Sequence, residues 1–153
     1  DKDVPAGAVK LFGETVFPVA SPALGLATLS TETLPETTLL NFDDARYPWL
    51  GWSDWLAASG LDALRPRAML HFNHYDQLIQ AAVAGHGVAI GRAELVSALI
   101  AEGRLQAVGE TRREMLGRGY WLIGAGDSPR DDVVRFAEWV RQAAEETRAI
   151  PGA

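Results

Sequence analysis

His71, Phe72, Asn73, His74 and Tyr75 stand where an apolar run, Ala68–Phe72, gives way to a segment of helical periodicity. Asn73 occupies the expected N-cap and Asp76 follows at the third helical position, an Asn-x-x-Asp variant of the capping box. From Tyr75 onward Leu78, Ile79, Ala82 and Val83 recur at helical spacing, so one face is apolar. Gly85 suits the residue after the helix, and Gly87 lets the chain turn into a second apolar run, Val88–Ile90. The spacing therefore predicts strand, helix, glycine turn, strand. A helix that starts at the end of a strand presents free N–H groups and the positive end of its dipole, and can take a small anion there. Plain capping by Asn73 is an equally good account of its position, and the two roles are compatible.

Other chemistry finds little support. His71 and His74 are three apart but straddle a strand–helix junction, and neither cysteine nor a nearby acidic ligand completes a metal set, so no metal is expected. His86, in a Gly-His-Gly turn, reads as solvated. Gly85, Gly87 and Gly91 follow a helix instead of opening one, which excludes a dinucleotide fingerprint. The sequence contains no Gly-x-Ser-x-Gly elbow, no cysteine nucleophile and no His-Glu-x-x-His. No catalytic residue and no cofactor are expected. Asp43–Asp44, Asp131–Asp132 and Glu145–Glu146 are adjacent in sequence and read as turn, helix-start and helix-face charges.

The 153 residues carry a net charge of −6 with 48% hydrophobic and 22% charged residues, ordinary for one globular domain or one and a fragment. Arg112 and Arg113 are flanked by Glu110 and Glu114, and no Lys/Arg-rich block exists, so this chain is poorly equipped to grip nucleic acid by itself. The absence of cysteine fits a reducing compartment. No apolar run approaches the roughly 18–20 residues of a membrane span, and no signal peptide is visible. A first residue of Asp1 in place of Met predicts further sequence upstream.

The elements that position the junction follow from pattern. Asp1–Val9 reads as loose. Thr15–Ala20 is a strand in which Pro18 implies an edge or a bend. Ala23–Glu36 is loop with a short helical turn, and Thr38–Phe42 a second strand. Pro48–Ser59 reads as a helix, with Pro48 at its first position, Gly60 as its stop, Trp49, Trp52 and Leu56 on one side and Trp55 on the flank. That tryptophan cluster is read as packing before ligand platform. Arg92–Glu102 is a helix with Leu95, Val96, Leu99 and Ile100 inward. Leu105–Val108 and Tyr120–Ile123 are strands, Gly109–Gly119 a loop and Gly124–Arg130 a turn. Asp131–Arg148 is the longest helix, with Val134, Phe136, Ala137, Val140 and Ala144 as its apolar side, acids at its start and Arg148 at its end. Ile150–Ala153 is a tail. This alternation indicates an α/β domain with a mainly parallel or mixed sheet.

Five stretches together resemble a known family: LFGETVFPVASPAL (Leu11–Leu24), the Trp-x-x-Trp-Leu-Ala-Ala-Ser-Gly helix (Trp52–Gly60), HFNHYDQLIQAAVAGHGVAIGR (His71–Arg92), LIAEGRL (Leu99–Leu105), and GYWLIG followed by RFAEWV (Gly119–Gly124, Arg135–Val140). In this order they resemble the effector-binding half of LysR-type transcriptional regulators, the subgroup similar to the glycine-cleavage and β-lactamase regulators. The resemblance implies a type-2 periplasmic-binding-protein-like α/β fold, with two lobes joined by two crossover strands and a small effector between them. It assigns residues 1–20 to an N-terminal segment and the first crossover (Glu14–Ala20), 21–119 to lobe two, and 120–153 to the second crossover and the C-terminal helix of lobe one (Ser128–Ile150). One lobe would be complete and the other present only in its C-terminal part.

Asn73, His74 and Tyr75 would then hold a carboxylate of the effector. Phe72 would wall the pocket or serve the core, and Ser21 would face the cleft or simply make a Ser-Pro turn. DNA would be bound only through an N-terminal winged helix-turn-helix outside this sequence. A cytoplasmic homodimer or homotetramer, with no membrane association, completes the expectation. An extracytoplasmic solute-binding protein for transport shares the fold and is the alternative.

Overall fold

Apolar runs alternating with helical segments assemble a six-stranded mixed sheet and a separate two-stranded ribbon. The computed structural model describes residues 4–124 and 130–148. Strands β1 (Val9–Phe12), β2 (Thr15–Ala20) and β3 (Thr38–Phe42) come first, with short 3-10 turns at Pro22–Leu24, Leu34–Glu36 and Pro48–Leu50. Helix α1 (Trp52–Ala58) leads to β4 (Ala68–Phe72), α2 (Tyr75–Val83), β5 (Val88–Arg92) and α3 (Ala93–Ala101). Short strands β6 (Gln106–Ala107), β7 (Arg113–Glu114) and β8 (Tyr120–Leu122) precede the long α4 (Asp131–Arg148). The turn expected over Gly124–Arg130, the loose start before Val4, the outer limits of the last segment at Ser128 and Ile150, the tail Ile150–Ala153 and the Arg148 side chain fall wholly or partly outside the described residues.

In the large sheet β3 pairs in parallel with both β4 and β5, while β2 runs antiparallel to β5. Phe17, Val19, Leu39, Leu40, Val88 and Ile90 are almost fully buried in it, with Leu34, Trp52 and Leu78 packed over them. The ribbon pairs β1 with β8 antiparallel, and α4 lies against β1 and α3. Glycines fix two close approaches. A Cβ on Gly87 would stand 2.4 Å from the Thr38 carbonyl oxygen, and one on Gly91 would stand 2.8 Å from a Val19 methyl. Gly85, at φ 78°, ends α2: its N–H donates to the Ala82 carbonyl and that of His86 to Ala81, the paired closure of a Schellman turn.

Several expectations are corrected. Pro18 lies within the sheet, but β2 is flanked on one side by two short strands, β7 at Thr15–Val16 and β6 at Val19–Ala20. The Val108 N–H donates to the Pro18 carbonyl, so the missing proline N–H faces the break between β7 and β6, where no ladder bond is required. Gly109–Gly119 is therefore loop interrupted by β7. The helix expected over Pro48–Ser59 divides because Gly51 is extended, at φ −87° and ψ 157°. Asn41 Oδ1 accepts the Trp52 N–H at 2.9 Å and starts α1 from a distant strand.

On α3 the buried face is Ala93, Val96 and Ser97, with Leu99 and Ile100 half-buried, whereas Leu95 is 48% exposed because it stands off that stripe. The expected apolar side of α4 is largely uncovered. Ala144 is buried, but Val134 is 42% and Phe136 60% exposed, because α4 meets β1 and α3 through its C-terminal half. Phe136 packs instead on Trp139, ring centroids 5.7 Å apart. The tryptophans of the α1 region pack as expected: Trp52 and Trp55 are buried, and the Trp52 indole donates to the Leu40 carbonyl at 2.9 Å.

Candidate functional site

Strand β4 ends at Phe72 as the sequence predicts, but α2 does not begin until Tyr75. Phe72 pairs with Phe42, and its carbonyl accepts the Asp43 N–H at 2.8 Å; the chain then bends at Asn73. His74, at φ −122° and ψ 122°, is therefore the N-cap of α2, without a side-chain cap bond. Asn73 is exposed and does not cap, and Asp76 falls at the second helical position, so the predicted capping box is absent. His71 Nδ1 lies 2.8 Å from Asp43 Oδ2, and Asn41 Nδ2 donates to the other oxygen of that carboxylate.

Tyr75 links this helix start to the centre of the molecule. Its ring meets Phe42 edge-on, with centroids 5.8 Å apart, and its hydroxyl accepts the Arg92 N–H at 2.8 Å. Burial pushes its hydroxyl pKa well up, against the partial relief of that bond. Arg92 is the last residue of β5, and the pairing of β5 with β2 sets it opposite Val16, close to the link between β1 and β2. There Arg92 Nε lies 2.8 Å from Glu14 Oε1, with 17% and 4% of the two side chains exposed. The guanidinium also stands over the rings of Tyr120 at 4.8 Å, Tyr47 at 5.7 Å and Tyr75 at 5.7 Å. One side chain thus touches the strand end that leaves the ribbon, Glu14, and the strand that re-enters it, Tyr120.

Beside Arg92 opens a cleft of about 540 Å³, whose walls include Glu14, Tyr47, Trp49, Arg118, Tyr120 and Trp121. Two donors at its wall, the Trp49 indole N–H and the Tyr120 hydroxyl, are buried with no hydrogen-bond partner among the described residues. Burial pushes the Tyr120 hydroxyl pKa up, with Arg92 acting against it.

Of the residues singled out from sequence, Phe72, Asn73, His74 and Tyr75 are together at one corner, and Tyr75 reaches the cleft through Arg92. Phe72 is half-buried against the core. Ser21 stands apart. Its Oγ accepts the Ala23 N–H at 3.4 Å, and its Cβ is 4.0 Å from where a Cβ on Gly85 would lie, beyond the far end of α2. That is the Ser-Pro turn role. Trp49 was read as packing before ligand platform, and Glu14, Tyr47, Arg92, Arg118 and Tyr120 were missed because the site draws on four segments far apart in sequence. The legible signal was a single acid opening the buried run TVFPVA and a single arginine closing VAIG, since an isolated charge beside a buried strand needs a partner.

Glu94, at the start of α3, lines a second recess with Lys10, Gly13, Thr15 and Thr147. Burial pushes its carboxyl pKa upward from the ordinary 4.5, and the neighbouring Glu14 adds to this, while backbone N–H groups oppose it. The folded state therefore binds the Glu94 proton more tightly than the unfolded state does, and stability drains away as pH rises from 4.5 through the raised value. Glu94→Gln is expected to raise the unfolding midpoint at pH 7 and to flatten its fall over that interval, as measured by urea denaturation in a pH series.

The mixed α/β sheet has the type-2 periplasmic-binding-protein-like fold, with a polar, aromatic cleft beyond the ends of its parallel strands, the place where open α/β sheets present their ligand crevice. The family model described as the LysR substrate binding domain matches residues 4–145, and the chain belongs to that family. It is 35% identical over 137 residues to the HTH-type transcriptional regulator TrpI of Pseudomonas aeruginosa, covering 87% of this chain and 45% of that protein. It is 30% identical over 146 residues to the glycine cleavage system transcriptional activator of Escherichia coli K12, covering 91% of this chain and 46% of the relative. The chain thus spans less than half the length of these relatives. Among solved structures, the effector domain of the regulator AmpR of Pseudomonas aeruginosa superposes with a TM-score of 0.63 at 25% identity, covering 95% of this chain and 70% of that one. The AmpR effector binding domain of Citrobacter freundii, at 22% identity, shares the fold with a TM-score of 0.61, covering 91% of this chain and 68% of that one. These similarities do not favour the transport-protein alternative. No helix among the described residues is long and apolar enough to cross a membrane.

Proposed function

We propose that this chain is the effector-sensing part of a LysR-type transcriptional regulator and binds a small anionic metabolite, a carboxylate, in the cleft beside Arg92. The observation that carries the reading is the placement of Arg92, which joins Glu14 and Tyr120 at the floor of that cleft. In this reading residues 1–20 include the first crossover strand, 21–119 form lobe two, and 120–153 hold the second crossover and the closing helix of lobe one. Arg92 then touches both crossovers, and an effector that prefers one lobe arrangement shifts the balance by its difference in affinity for the two. A winged helix-turn-helix elsewhere in a longer protein reads DNA. The regulator works in the cytoplasm as a homodimer or homotetramer. The protein is not an enzyme.

Asn73 and His74, exposed at the corner that Tyr75 ties to Arg92, form the outer rim of the effector site. Asn73→Asp adds a negative charge there without disturbing the α2 start, because Asn73 makes no cap bond. It is expected to weaken binding of an anionic effector about two- to fivefold, as an exposed like charge does at moderate salt. Calorimetric titration checks this, and an unchanged affinity removes Asn73 from the rim. The reading as a whole is tested by a melting-shift screen of small metabolites, followed by promoter transcription assays with those that bind. Ligands that shift melting without altering transcription would count against regulation.

A further inference from the structure

Resting on that reading, we propose that the cleft selects an aromatic monocarboxylate, its carboxylate set between Arg92 and Arg118 and its ring against Trp49 and Tyr47.

The charge balance of the cleft points to one anion. Arg92 and Arg118 bring two positive charges to its lining and Glu14 one negative charge, which Arg92 already engages through Nε. Arg118 makes no ion pair among the described residues, and its guanidinium lies 3.6 Å from the centre of the Trp49 ring. The cleft is thus one positive charge in excess within a chain whose net charge is −6. A monoanion neutralises it. An amine would be repelled, and a dianion would leave an unpaired negative charge beside buried Glu14.

The hydrogen-bond balance points to an acceptor-only group. Arg92 Nε and Glu14 Oε1 face each other at 2.8 Å as an ion pair without a hydrogen bond, and the Trp49 N–H and the Tyr120 O–H are further cleft-wall donors left without partners among the described residues. A carboxylate accepts at both oxygens, donates nothing, and matches the planar fork of a guanidinium. Arg118 lies on the loop between Gly117 and Gly119, and Gly117 has a φ of 75° that favours glycine. In the bound arrangement the carboxylate draws Arg118 from the indole face, which opens the Trp49 edge to the same anion.

The walls point to a flat apolar body. Tyr47 and Trp49 already pack edge-to-face, with centroids 5.4 Å apart at 70°, and Tyr120 and Trp121 line the same space. A ligand ring extends this series and stacks on the guanidinium planes. The cleft volume of about 540 Å³ leaves room for one or two fused rings with a short acidic arm.

The test is calorimetric titration of the whole protein with benzoate and indole-3-acetate, beside cyclohexanecarboxylate, benzylamine and inorganic phosphate. The aromatic acids should bind saturably and several-fold more tightly than cyclohexanecarboxylate, with no binding of benzylamine. Arg118→Gln should weaken the aromatic acids about tenfold or more, with the melting temperature unchanged because the residue is exposed. Trp49→Phe keeps a ring and loses the N–H, and should weaken them about three- to tenfold. Undiminished affinity in Arg118→Gln overturns the proposal. So does preference for benzylamine, phosphate or the saturated acid, which leaves the sensor reading in place. If none of these binds but neutral metabolites shift melting, the ligand class falls and the sensor reading stands. If neither set binds, both fall.

Discussion

Arg92→Ala is expected to lower folding stability by about 3–5 kcal/mol, the usual cost of removing one partner from a buried ion pair. Glu14 would remain, with 4% of its side chain exposed, and no other described cation lies within ion-pair distance of it. The change also empties the space against three tyrosine rings and leaves the cleft without its anchored cation. A double variant, Glu14→Leu with Arg92→Met, separates charge from packing. It should recover most of the loss, since apolar replacement of both members of a buried pair is often neutral or better. Urea unfolding of the wild type and these variants measures the difference. A double variant as unstable as the single one would mean that the tyrosine contacts dominate. The single variant is also expected to abolish effector binding under conditions where it remains folded.

Trp52→Ala is expected to cost a similar amount, about 3–5 kcal/mol, for a different reason. Trp52 is fully buried, and its indole N–H donates to the Leu40 carbonyl within β3. Truncation removes a large apolar surface, opens a cavity between α1 and the sheet, and leaves Trp52 N–H's former acceptor, the Leu40 carbonyl, short of that bond. Trp52→Phe retains most of the ring and should cost distinctly less. Denaturant midpoints with unchanged slopes check both. Equal costs for the two variants would place the effect in the hydrogen bond instead of the packing.

The strand runs were legible as short, unbroken apolar segments, largely buried in β2 and β3 and half exposed in the edge strand β4. Thr15–Ala20, Thr38–Phe42 and Ala68–Phe72 stand where the sequence placed them, as does the long helix Asp131–Arg148. The start of α2 was misread by one residue: the chain bends at Asn73 and the helix is capped at His74, and no local pattern separates the two. The division at Gly51 depends on Asn41, ten residues earlier, and no local pattern carries it. The exposure of Phe136 was hidden for a similar reason: a helical pattern reveals which face is apolar but not how much protein exists to cover it. The candidate site was half legible. Helical phasing located Tyr75, whereas Arg92 and its partners Glu14, Tyr47 and Tyr120 come together only through strand register.

The ribbon also bears on how the molecule assembles. Lys10 pairs with Trp121, so joining β1 to β8 closes a loop of about 110 residues, and an unstructured chain meets that encounter at a substantial entropic disadvantage. The intervening sheet contains its own parallel pairings among β3, β4 and β5 and can form first. Once β5 is in place beside β2, Arg92 offers one meeting point to Glu14 and Tyr120, and the search shrinks from a long polymer to two short tethers. The ribbon is therefore expected to form late in folding and to open early in unfolding. Its amides should exchange with solvent through local openings that leave the large sheet intact.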